Sequence, residues 1–132
     1  MLTRRHIVAL AYGAVCHSVF LVAVAAMISM MWFGMSRSLG AVPQPWAWAV
    51  NVALLAQFPL GHSLLLTRRG RGLLARLAPP DHGQTLATTT YAIVASVQLC
   101  LLFLFWTPSG IIWLQAEGWA LWAIGGAYAV SW

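Results

Sequence analysis

The chain has 132 residues, 61% of them hydrophobic and only 7% charged, where ordinary soluble domains carry about 25% charged residues. That composition excludes a water-soluble globule. With a mean hydropathy of +0.81, the formal net charge of +5 points to a lipid bilayer as partner and not to nucleic acid.

At roughly 20 apolar residues per spanning helix, the length allows three or four crossings. The first apolar run, residues 7–35, is broken only by small or weakly polar residues and by His17. As a helix it would measure about 43 Å against a hydrocarbon core of about 30 Å, so it must tilt or protrude. Arg4 and Arg5 precede it, but it is too long for the apolar stretch of a cleaved signal, about 7–15 residues. A linker with Arg37, Gly40, Pro43 and Pro45 follows, rich in residues that disfavour helix. The second run, 46–66, opens with Trp46 and Trp48, as an interfacial belt would.

Residues 67–85 hold Arg68, Arg69, Arg71 and Arg76 together with Gly70, Gly72, Pro79-Pro80 and Asp81, and read as the main extramembrane loop. The third run, 86–106, closes in Trp106-Thr107-Pro108-Ser109-Gly110, a helix stop followed by a turn. The last stretch, 119–132, is about 21 Å long as a helix and falls short of the bilayer. A start at Ile111 supplies the length but draws Gln115 and Glu117 into the membrane. The expectation is therefore an all-α, polytopic integral membrane bundle forming a single domain over 1–132. Its helices are expected at about 7–35, 46–66, 86–106 and 111–132, the fourth incomplete or covered by something outside the chain.

Polar residues inside a span are costly and therefore informative. Asn51 and His62 are eleven positions apart, which puts them within about 20° of one helix face. Between them Pro59 leaves the carbonyl of Leu55 without its helical donor, and Gly61 loosens the next turn. Thr88, Tyr91, Ala95 and Gln98 form a second polar or small stripe, suited to facing the bundle, and Gln98 needs a partner in hydrocarbon. His17, with Gly13 one turn away, is expected to meet a neighbouring helix at close approach. Cys16 and Cys100 lack any metal-binding or redox spacing and read as apolar fillers, so no metal site is expected. The arginine cluster suits either anionic headgroups or an anion clamp for a phosphate or carboxylate. No phosphate loop, nucleophile elbow, zinc motif or dinucleotide fingerprint is present, and no catalytic residue follows from these patterns.

Several segments together resemble a known family. They are Gly61-His62-Ser63-Leu64-Leu65-Leu66-Thr67-Arg68-Arg69, then Arg76 and Pro79-Pro80, then Thr90-Tyr91 with Ala95-Ser96, and finally Leu102-Phe103, Phe105-Trp106-Thr107-Pro108 and Trp113. Over roughly residues 46–125 this pattern looks like the N-terminal half of a membrane methyltransferase-like family. The family groups bacterial methanethiol S-methyltransferases, nurim and relatives of isoprenylcysteine carboxyl methyltransferase. The resemblance implies a compact helical bundle that uses S-adenosylmethionine to methylate a small thiol or a lipid-linked carboxylate at the membrane surface. It singles out His62, Ser63, Arg68, Arg76 and Tyr91 as pocket-lining positions. Where methanethiol-type members carry Glu-Arg, this chain has Ala87-Thr88. The family's cofactor residues, an Arg-His-Pro or Arg-Gln-Pro stretch followed by Tyr, belong by the resemblance to a C-terminal half beyond these residues. The alternative is a non-enzymatic transmembrane subunit packed in a larger membrane complex.

Arginine asymmetry gives an orientation, since short cytoplasmic loops carry the excess positive charge. With the N-terminus inside, six arginines are cytoplasmic and Arg37 alone lies outside, so an inner-membrane protein with a cytoplasmic N-terminus is expected. An alkaline phosphatase reporter fused within residues 68–76 is expected to be inactive, and an active fusion there would reverse the topology.

Overall fold

The computed structural model describes residues 3–79, 82–112 and 114–132; Pro80, Asp81 and Trp113 of the motifs above lie outside them. Five helices follow one another among these residues: α1 (Arg4–Trp32), α2 (Trp46–Leu66), α3 (Arg68–Leu77), α4 (Gly83–Phe105) and α5 (Gly118–Val130). Three of them, α1, α2 and α4, are long and apolar enough to cross a membrane.

Interhelical bonds fix the topology. Near their starts, α1 and α4 meet through Tyr12 Oη and Thr90 Oγ1 at 2.7 Å. Past their ends, the Leu39 and Gly40 N–H groups donate to the carbonyls of Leu104 and Trp106 at 2.6 and 3.2 Å. The two helices therefore run parallel. α2 returns against α4, because Asn51 bonds Thr107 and His62 bonds Tyr91. α5 touches α1 in the opposite sense, with Gly125 beside the Trp32 ring and Tyr128 Oη donating to the carbonyl of Ile28 at 2.6 Å. α3 packs against both α2 and α4 where α2 ends and α4 begins. Six of the seven arginines thus gather at one end of the bundle. Arg37 is at the other, its guanidinium 3.8 Å from the centre of the Phe33 ring.

The buried apolar side chains are mostly small: Ala23, Ala26, Ala47 and Ala78 with Leu74 and Leu86. Small residues let backbones approach closely, which drives helix association where lipid is as apolar as leucine. Larger apolar groups such as Leu10, Leu21 and Trp46 face outward, toward the hydrocarbon.

The structure departs from the sequence reading at several boundaries. The expected loop 67–85 contains α3, because Thr67 caps it by accepting the Gly70 N–H at 3.1 Å and Leu74 is buried. Gly70, which reads as a breaker, is an approach point where a Cβ would run into the backbone of Leu64 and Leu65. α4 begins at Gly83 and not Leu86, since glycine there admits the Ala75 carbonyl. α1 starts earlier, at Arg4, and stops at Trp32, where Gly34 and Met35 turn left-handed at φ 57° and 61°. The last helix starts at Gly118 and not Ile111. Gln115 and Glu117 remain exposed and bonded to each other at 3.2 Å, which keeps an amide and a carboxylate out of hydrocarbon.

A Cβ at Gly40 would collide with the carbonyl oxygens of Phe105 and Trp106, whereas one at Gly72 meets nothing. Gly40→Ala is expected to cost about 1–3 kcal/mol by overpacking, read as a lower thermal midpoint in detergent. Gly72→Ala is expected to be neutral or slightly stabilising.

Candidate functional site

α2 and α4 are joined by three polar rungs. At the first, Asn51 Nδ2 donates to the Thr107 carbonyl at 2.8 Å, and the Thr107 N–H donates to Asn51 Oδ1 at 2.9 Å. At the second, Gln57 Nε2 donates to the Gln98 carbonyl at 2.9 Å and Gln98 Nε2 to the Gln57 carbonyl at 2.8 Å. At the third, Tyr91 Oη stands 2.5 Å from His62 Nδ1 and 2.9 Å from Nε2. Gly61 makes room for the second rung, since a Cβ there would run into Gln98 Nε2. Gln98 Oε1 is buried without a partner among the described residues.

These rungs answer the need of each amide for a partner in hydrocarbon. Gln57 was not among the residues singled out from the sequence. On an ideal helix it lies about 120° from the Asn51–His62 face, so a search for one polar stripe passes over it. The usable signal was chemical: two glutamines, each costly alone, on adjacent antiparallel spans.

Of the five pocket positions implied by the family resemblance, the structure brings His62 and Tyr91 together. Both are half-buried, and the Phe58 ring stands 5.7 Å from the imidazole, centre to centre. Ser63 is exposed, as are Arg68 and Arg76 on α3; neither arginine has a hydrogen bond or ion pair among the described residues. Asn51 and Gln98 join the seam as described. Thr88 is exposed, and Thr90 takes the buried position instead. Among the described residues His17 makes no bond to another helix. It is exposed, its Nδ1 lies 2.8 Å from the Gly13 carbonyl of its own helix, and a Cβ at Gly13 would face open space.

Two cavities accompany these features. A cleft of about 530 Å³ between α1 and α5 is lined by Trp32, Leu121, Trp122, Gly125 and Gly126. A crevice of about 40 Å³ lies beside Asn51, Trp106 and Thr107. The first is apolar and the second would hold little more than a water. The His62–Tyr91 pair differs from both in joining an imidazole to a phenol hydroxyl, one turn from the end of α2.

Apolar spanning helices, small-residue contacts and a polar seam define a polytopic integral membrane protein. Over 131 residues, covering 91% of this chain, it is 32% identical to a Mycobacterium tuberculosis protein named Methanethiol S-methyltransferase. That similarity supports a membrane methyltransferase-like family. It spans about half, 52%, of that relative's length. No family model and no solved structure matches it.

Asn51→Ala removes two bonds and strands the backbone N–H and carbonyl of Thr107. A loss of about 1–2 kcal/mol is expected, measured by unfolding in mixed micelles. Val52→Ala, at a position 61% exposed, is expected to change stability far less.

Proposed function

We propose that these residues form the N-terminal part of an S-adenosylmethionine-dependent membrane methyltransferase-like protein acting on a small thiol or lipid-linked carboxylate. The site would face the cytoplasm at the inner membrane, with the N-terminus inside. The observation that carries this is the 32% identity over 91% of the chain to a methanethiol S-methyltransferase. The gathering of six arginines at one end supports the orientation.

S-adenosylmethionine, when bound, supplies an electrophilic methyl group. The described residues do not fit that cofactor. Glu117 is their only carboxylate side chain and is exposed near the opposite end from His62; the larger cavity is apolar, and the smaller, although Gln44, Asn51 and Ser109 line it, is about 40 Å³ and far too small for the cofactor. Cofactor binding is therefore assigned to the part of the family pattern that this chain does not span.

What this half contributes, on this reading, is nucleophile handling. A thiol must become a thiolate to react, and His62, held by Tyr91, is the proton acceptor at the arginine end of the seam. Ser63, Arg68 and Arg76 lie exposed at the same end of the bundle.

The test uses the full gene product in nanodiscs with S-adenosylmethionine and methanethiol. His62→Ala is expected to lower kcat/KM about 100-fold, in line with loss of a general base. Tyr91→Phe, which removes the hydroxyl that holds the imidazole, should lower it less. Absence of S-adenosylmethionine binding by calorimetry, or an unchanged rate in His62→Ala, would sink the proposal.

A further inference from the structure

The end of the bundle that carries the arginines has a second feature, independent of the seam. Along α3, at about 100° per residue, Arg71, Arg68, Arg76 and Arg69 fall within about 160° of the circumference. Leu73, Leu77, Gly70 and Leu74 fill an arc of about 100° on the other side. The bundle uses only part of that apolar arc. Gly70 and Leu74 are buried, while Leu73 and Leu77 stay 49% and 66% exposed. The exposed leucines lie between the buried edge and Arg69 and Arg76. At the end of α2, the helix that precedes α3, Leu64 and Leu66 are likewise 60% and 56% exposed.

All four arginines of α3 are exposed, and none has a carboxylate partner among the described residues. Counting Asp81, residues 67–85 still carry four arginines against one acid. Glu117 precedes α5, near the opposite end of the bundle.

We propose that this outward face of α3 is a binding site for anionic phospholipid at the bilayer surface. Arg69 and Arg76 hold the headgroup phosphate, and Leu73 and Leu77 lie along the upper acyl chain. Arginine suits the first task because its fork matches phosphate oxygens. The leucine strip decides between lipid and a soluble anion, since a free phosphate would leave Leu73 and Leu77 in water. An amphipathic helix with basic residues flanking its apolar edge is the form that lies in an interface. The near end of α1 brings Arg4 and Arg5 to the same end of the bundle, which raises the local anion concentration there.

The experiment reconstitutes the full chain in phosphatidylcholine vesicles and measures association of spin-labelled phosphatidylglycerol against spin-labelled phosphatidylcholine. It needs no methyl donor, so its outcome is separate from that of the methyltransferase reading. The wild type is expected to prefer phosphatidylglycerol at least about threefold. About 1 kcal/mol per arginine near an anionic surface corresponds to about fivefold each. R69Q/R76Q should bring the ratio close to one, and R4Q/R5Q should keep most of it. R69K/R76K, which keeps the charges, should retain part of the preference and shows that the fold survives substitution there. No preference in the wild type, full preference in R69Q/R76Q, loss only in R4Q/R5Q, or displacement of the labelled lipid by millimolar inorganic phosphate would each overturn the proposal.

Discussion

A polar group in hydrocarbon has no water to bond, and this constraint organises the bundle. An unpaired amide there costs several kcal/mol, so each buried amide of α2 and α4 fixes where the other helix must lie. Asn51 and Thr107 set the register at one end and Gln57 and Gln98 set it in the middle. With α2 and α4 locked, Thr67 is the single residue between α2 and α3, and α3 comes to rest on both. α1 then packs along α4, where Tyr12 and Thr90 share a bond and Ala23 and Ala26 are buried.

Close approach is the other half of that constraint. Reciprocal bonds from an amide to the opposite backbone need the helices nearly touching, and glycine supplies the room. Gly61 sits where Gln98 crosses, Gly70 where α3 folds onto the end of α2, and Gly83 where α4 leaves α3. Pro59 acts beside the second rung. It withdraws one helical donor from α2 near the point where Gln57 turns its own side chain outward to α4.

Hydropathy and length made the spanning helices legible, because hydrocarbon thickness and helix rise leave few solutions. The stripe of Asn51 and His62 was visible as a period, and so was the demand of Gln98 for a partner. α3 was hidden, since its glycines and arginines are those of a loop, and its amphipathic order matters only once Leu74 has α2 and α4 to pack on. The pairing of His62 with Tyr91 joins residues 29 positions apart, and nothing local in either helix encodes it. His17 shows the reverse error. A histidine and a glycine one turn apart resemble a helix contact, yet an imidazole can bond its own helix carbonyl and need nothing more.

The three rungs differ in what they leave over. Asn51 both donates to and accepts from the Thr107 backbone, and Gln57 and Gln98 each donate to the other's carbonyl, so those crossings read as structural. The His62–Tyr91 rung joins two side chains, and a phenol hydroxyl can serve only one imidazole nitrogen at a time, although it stands within 2.9 Å of both. The tautomer is therefore adjustable there, a freedom the amide rungs lack. That rung is also the one nearest the arginine end. A seam bonded to backbone in its interior and side chain to side chain at one mouth would hold a reactive group at the membrane surface without loosening the bundle. The proton acceptor proposed for the methyltransferase is therefore His62, whereas Asn51, Gln57 and Gln98 are committed to the backbone opposite.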